Sequence, residues 1–129
     1  MSEGSGHISE TKRWEPSKEF LAEFFRLRRL EEARKRLLKE RAWKKAKAVA
    51  DHLKKKWGVK SVYLYGSLAW GTFHERSDID IMAVGFTGNY WRMLVEVEEI
   101  ALPFECTVVC EEDAFPSLRA KVLSEGVEL

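Results

Sequence analysis

The chain has 129 residues, enough for one domain with a real core and too few for a catalytic domain with a large second domain beside it. Hydrophobic residues make up 45% and charged residues 33%, which excludes a disordered polar chain. The net charge of +1 hides an asymmetry: residues 1–60 carry 18 Lys/Arg against 9 Asp/Glu, and residues 61–129 carry 4 against 12.

No apolar run approaches the roughly 18 residues that cross a bilayer. Met1 to Lys12 is polar and lacks the apolar stretch of a secretory signal. Residues 1–16 are expected to form a disordered leader, and the chain is expected to be cytoplasmic with no membrane partner. Ser17 is the expected N-cap of a helical stretch with no Gly or Pro until Gly58. An unbroken helix from Phe20 to Trp57 would run about 60 Å at 1.5 Å per residue. A compact domain of this size has a radius of gyration near ~14 Å. The helix must therefore break or protrude; two helices are the favoured expectation, with a joint between Leu38 and Arg41, dividing a helical extension over residues 17–40 from a domain over 41–129. The second helix has an apolar face of Trp43, Ala46, Ala50, Leu53 and Trp57, suited to a sheet. The first carries Phe20, Leu21, Phe24, Phe25, Leu27 and Leu30, more than a solvated helix should expose.

Val59 to Tyr65 reads as a strand closed by Gly66-Ser67, and Asp78 to Val84 as a second strand. Tyr90 to Leu102 reads as a helix ended by Pro103, Phe104 to Cys110 as a third strand, and Pro116 to Ser124 as a last helix stopped by Gly126. Cys106 and Cys110, four apart on one strand, would stand roughly 13 Å apart, too far to bridge, and read as buried free thiols. No zinc-ligand spacing includes His7, His52 and His74.

The chemistry concentrates in Tyr65-Gly66-Ser67-Leu68-Ala69-Trp70-Gly71 and Ser77-Asp78-Ile79-Asp80-Ile81. Two carboxylates two apart on a strand project from one face. They repel unless a cation lies between them, and hard oxygen ligands suit Mg²⁺. Gly66-Ser67 at the end of the preceding strand offers backbone N–H groups and a hydroxyl, and a short helix there would favour an anion. A lone Gly-Ser is usually a turn and a lone Asp-x-Asp usually an exposed strand. Their order and spacing set this pair apart.

Gly66-Ser67, ten intervening residues and Asp78-Ile79-Asp80 resemble the signature of the DNA polymerase β-like nucleotidyltransferases, with Ala69, Gly71 and Ser77 matching its fuller form. The short chain is most similar to the minimal nucleotidyltransferase branch, which includes the antitoxins of HEPN toxin–antitoxin pairs. The resemblance covers roughly residues 42–129. It implies an α/β fold: a small mixed sheet with helices mainly on one face, here with an extra N-terminal helix. It implies that Gly66 and Ser67 hold nucleotide phosphates, helped by Ser77 and Arg76, and that Asp78 and Asp80 bind two Mg²⁺ ions. The family's third carboxylate, metal ligand and base, lies on a later strand, and Glu105 is the residue assigned to it. The chain departs from the pattern in having Glu there instead of Asp, and no Arg at Leu68 or Trp70.

The resemblance further implies transfer of a nucleoside monophosphate, AMP from ATP, to a hydroxyl, with a tyrosine of a helical HEPN-type partner as acceptor. The alternative is a non-catalytic antitoxin that neutralises a partner through its N-terminal helix. The exposed Phe/Leu face also suits a homo-oligomer. The lysine-rich helix face raises nucleic acid as a third partner, but its interspersed Glu residues and missing aromatics favour a solvated or protein-binding face.

Overall fold

Helix formers run without a break from Lys18 to Trp57, and the computed structural model, which describes residues 14–129, carries one helix (α1) over all of Lys18–Trp57. The expected leader lies largely outside the described residues. Ser17 caps α1 as expected, its Oγ accepting from the Phe20 N–H at 3.0 Å. The expected joint between Leu38 and Arg41 is absent. That expectation required all the helix to fit within one compact unit, whereas the contacts divide the chain into two, residues 1–34 and Lys35–Leu129.

In the first unit, Trp14, Phe20, Phe24 and Phe25 form a chain of ring contacts with centroids 5.4, 6.2 and 5.5 Å apart. All four rings remain exposed.

The second unit is built on a four-stranded mixed sheet: β1 (Ser61–Tyr65), β2 (Ile79–Val84), β3 (Cys106–Cys110) and β4 (Val127–Glu128), in the order β3-β2-β1-β4. β1 pairs antiparallel with β2 and β4, and β2 pairs parallel with β3. Between strands lie α2 (Ser67–Trp70), α3 (Tyr90–Ala101) and α4 (Pro116–Glu125). Glu111–Asp113 forms a 3-10 turn, and the two-residue β4 was not anticipated.

Ala42, Ala46, Val49, Ala50 and Leu53 of α1 and Met93, Val97 and Ala101 of α3 join Val62, Leu64, Ile79, Ile81, Ala83 and Val108 of the sheet in one buried cluster. The period of α1 thus puts its small residues against the strands, and most helical mass covers one face. Met82 and Val122 are buried outside that cluster, and α4 lies against β1. Cys106 and Cys110 are buried free thiols, as read from their spacing.

Two polar links tie the helices in place. Glu96 of α3 accepts from Lys56 Nζ at 2.6 Å and Trp57 Nε1 at 3.0 Å, and its Oε1 lies 2.7 Å from His52 Nε2. Those donors hold its carboxyl down at about 2. The Tyr90 hydroxyl donates to the Val108 carbonyl at 2.6 Å, fixing α3 to β3. No helix among the described residues is long and apolar enough to cross a membrane.

Candidate active site

β1 delivers Gly66 and β2 delivers Asp80 to the same place, because Tyr65 and Asp80 are register partners. Gly66 has φ 78° and ψ −155°, a conformation almost exclusive to glycine. A Cβ at Gly66 would lie 2.3 Å from Asp80 Oδ2, so the missing side chain is what lets the carboxylate approach the backbone. Ser67 begins α2, whose first amides have no acceptor inside the helix. Gly66 and Asp80 therefore meet at one end of the sheet.

Asp80 is half-buried, and burial first, then the charge of Asp78, raise its carboxyl above the ordinary range; a hydrogen bond opposes the rise. That bond comes from Thr107 on β3, whose Oγ1 donates to Asp80 Oδ1 at 2.9 Å. Thr107 is the register partner of Asp80. Tyr65 stands on the other side of Asp80, its hydroxyl pushed up by burial and then by the Asp80 charge. Behind this face the Cys106 thiol, raised to about 12 chiefly by burial, is inert packing.

Asp78 lies one residue before β2. With Glu75, Arg76, Ser77, Pro103, Phe104 and Glu105 it lines a cavity of about 330 Å³. Glu105 is exposed and precedes β3; its carbonyl accepts from the Ile79 N–H at 2.8 Å. Strand alternation puts Glu105 and Thr107 on the same face as Asp78 and Asp80, with Thr107 opposite Asp80 and Glu105 two residues before it. Among the described residues no three His, Cys, Asp or Glu side chains gather as a metal-ion cluster.

Of the expected phosphate ligands, Ser77 has its hydroxyl accepting from the His74 N–H at 3.0 Å, and the Arg76 N–H donates to His74 Nδ1 at 3.2 Å. His74 and Ser77 therefore shape the loop, leaving the Arg76 side chain toward the cavity wall. Trp70 donates through Nε1 to the Glu125 carbonyl at 3.2 Å and carries Lys121 Nζ 4.7 Å above its ring.

Thr107 escaped sequence reasoning, and Tyr65 was read only as the residue that opens the Gly66-Ser67 segment. Neither has a charge to draw notice, and only strand pairing brings them beside Asp80.

Residues 47–129 match the family model of the polymerase β nucleotidyltransferases, and the chain belongs to that family. Among solved structures it is similar to one described as a candidate minimal nucleotidyltransferase, at 27% identity and TM-score 0.59, covering 70% of this chain and 95% of that one. It is also similar to a toxin–antitoxin with AMP-PNP, at 26% identity and TM-score 0.53, covering 66% and 69%. The toxin–antitoxin MntA–HpeT, in mutant form, shares the fold at 20% identity and TM-score 0.51, with 65% and 70% covered. No curated protein matches the chain.

Proposed function

We propose that the chain binds ATP with Mg²⁺ at Gly66, Ser67, Asp78 and Asp80 and transfers AMP to a hydroxyl of a partner protein. The observation that carries this reading is the approach of the Asp80 carboxylate to the side-chain-free Gly66 backbone. It joins an anion-binding turn to a cation-binding pair. Asp78 and Asp80 offer the hard oxygen donors that suit Mg²⁺, which would supply Lewis acidity at the phosphates. Gly66 and Ser67 would orient the phosphates by backbone N–H groups and a hydroxyl. The acceptor oxygen forms a bond to the α-phosphorus, the bond from that phosphorus to the bridging oxygen breaks, pyrophosphate leaves, and the hydroxyl proton passes to solvent or a carboxylate. Arg76, Ser77 and Glu105, lining the cavity beside Asp78, would receive the acceptor.

The toxin–antitoxin solved with AMP-PNP supports both a nucleotide and a protein partner. In this reading the partner is a HEPN-type toxin and the acceptor one of its tyrosines. The chain works in the cytoplasm, where ATP and Mg²⁺ are supplied. A second reading, an antitoxin that neutralises by contact alone, draws on the exposed Phe20, Phe24, Phe25 and Leu27 and on Thr107 beside Asp80.

The test is label transfer from α-labelled ATP with Mg²⁺ to a co-purified or neighbour-encoded partner, followed by intact mass. An AMP-sized gain on the partner, lost in Asp78→Asn/Asp80→Asn, supports the enzyme. A stable complex without transfer, indifferent to that double substitution, supports the binding antitoxin.

A further inference from the structure

Resting on the nucleotide–metal reading above, we infer that this chain holds one divalent ion per nucleotide instead of two, because Thr107 fills the place beside Asp80 from which a further carboxylate would bind the second.

A carboxylate pair that holds two hard cations needs its oxygens free, and a further anionic ligand to balance four positive charges. At Asp80 those conditions fail in three ways. Oδ1 accepts from Thr107 Oγ1 at 2.9 Å, so one oxygen is already engaged. Oδ2 is pressed toward Gly66, leaving room on that side for a backbone and little else. The register partner on β3 is a neutral hydroxyl. Tyr65, the partner on β1, is neutral as well and half-buried. The nearest other acid on β3's approach is Glu105, which faces the cavity beside Asp78 and forms no three-acid group with the two aspartates. Asp78 and Asp80 suffice for one ion completed by phosphate oxygens and water.

Thr107 then acts as a positioning residue: it fixes the Asp80 carboxylate against Gly66 and leaves no further carboxylate beside Asp80 to take the acceptor's proton. Nucleotide binding persists while transfer is slow. An aspartate at 107 would restore the missing ligand and base.

The experiment counts Mn²⁺ bound per chain by electron paramagnetic resonance, with a non-hydrolysable ATP analogue at saturation, for the native chain, Thr107→Asp, Thr107→Val and Glu105→Gln. Circular dichroism verifies folding of each. The inference expects one ion in the native chain, in the isosteric Thr107→Val and in Glu105→Gln, and two in Thr107→Asp. Single-turnover transfer should rise on the order of 100-fold in Thr107→Asp, the scale of a positioned base. Two ions in the native chain, falling to one in Glu105→Gln, would overturn the inference and make Glu105 the third ligand, with the nucleotide reading intact. One ion in a folded Thr107→Asp would also overturn it. No ion bound to the native chain would sink the nucleotide–metal reading itself.

Discussion

Replacing Gly66 with alanine separates the packing argument from every assumption about activity. At φ 78° and ψ −155° an alanine is strained by about 1–3 kcal/mol. Its Cβ would also lie 2.3 Å from Asp80 Oδ2 and 3.2 Å from Asp80 Cγ, so the carboxylate must move. Moving it breaks the bond from Thr107, and a hydrogen bond to a charged group contributes about 1.5–3 kcal/mol. The two effects together make a loss of about 2.5–6 kcal/mol. At roughly 4–8 °C per kcal/mol for a domain of this size, the melting temperature should fall by at least about 10 °C. Thermal unfolding followed by circular dichroism reads this directly, and calorimetric titration with ATP and Mg²⁺ reads the site. Gly71→Ala is the comparison: φ is positive there too, at 90°, but a Cβ meets open space, so it carries backbone strain without displacing Asp80. Binding should be lost in Gly66→Ala and kept in Gly71→Ala. If Gly66→Ala melts with the native chain and still binds the nucleotide, the close approach is not what shapes the site.

Asp80→Asn should stabilise the protein in metal-free buffer at pH 7. Folding raises the carboxyl of Asp80, so its ionised form opposes folding above that raised value, and the gain should fade as pH falls through the carboxylate range; a lower urea midpoint at pH 7 would contradict this. Glu96→Gln should act in the opposite sense. The Glu96 carboxyl sits at about 2, so its contribution is complete above the ordinary value of 4.5 and is lost as pH falls toward 2; urea midpoints across that window should converge for the two proteins only at the acid end. Tyr90→Phe removes the donor to the Val108 carbonyl and should cost about 1 kcal/mol in urea unfolding, with ion binding unaltered.

What could be read from the sequence followed from periodicity and punctuation. The alternation around Val62 and Leu64, the small-residue stripe from Ala42 to Leu53 and the stop at Pro103 each locate an element. The spacing from Gly66 to Asp80 singles out the two residues that the sheet brings together. Three things escaped. Val127–Glu128 is too short to carry a period. The helix passing unbroken through Leu38–Arg41 obeyed its local propensities, while the expected break came from a compactness bound that applies to one unit and not to two. Thr107 carries no charge, and only the parallel register of β2 with β3 puts it opposite Asp80.

The residues that make up the site work against the stability of the empty protein. Gly66 occupies strained backbone, Asp80 is half-buried with its charge opposed by Asp78, and Tyr65 closes in from the other side. An uncharged residue at 80 would carry neither the desolvation nor the repulsion that Asp80 meets. A cation between the aspartates relieves their repulsion, and an anion at Gly66-Ser67 satisfies the exposed amides. The two ligands carry opposite charge, so each lowers the cost of the other. ATP and Mg²⁺ added together should therefore raise the melting temperature by more than the separate additions combined. A binding antitoxin that needs only an exposed helix face has no use for that coupling.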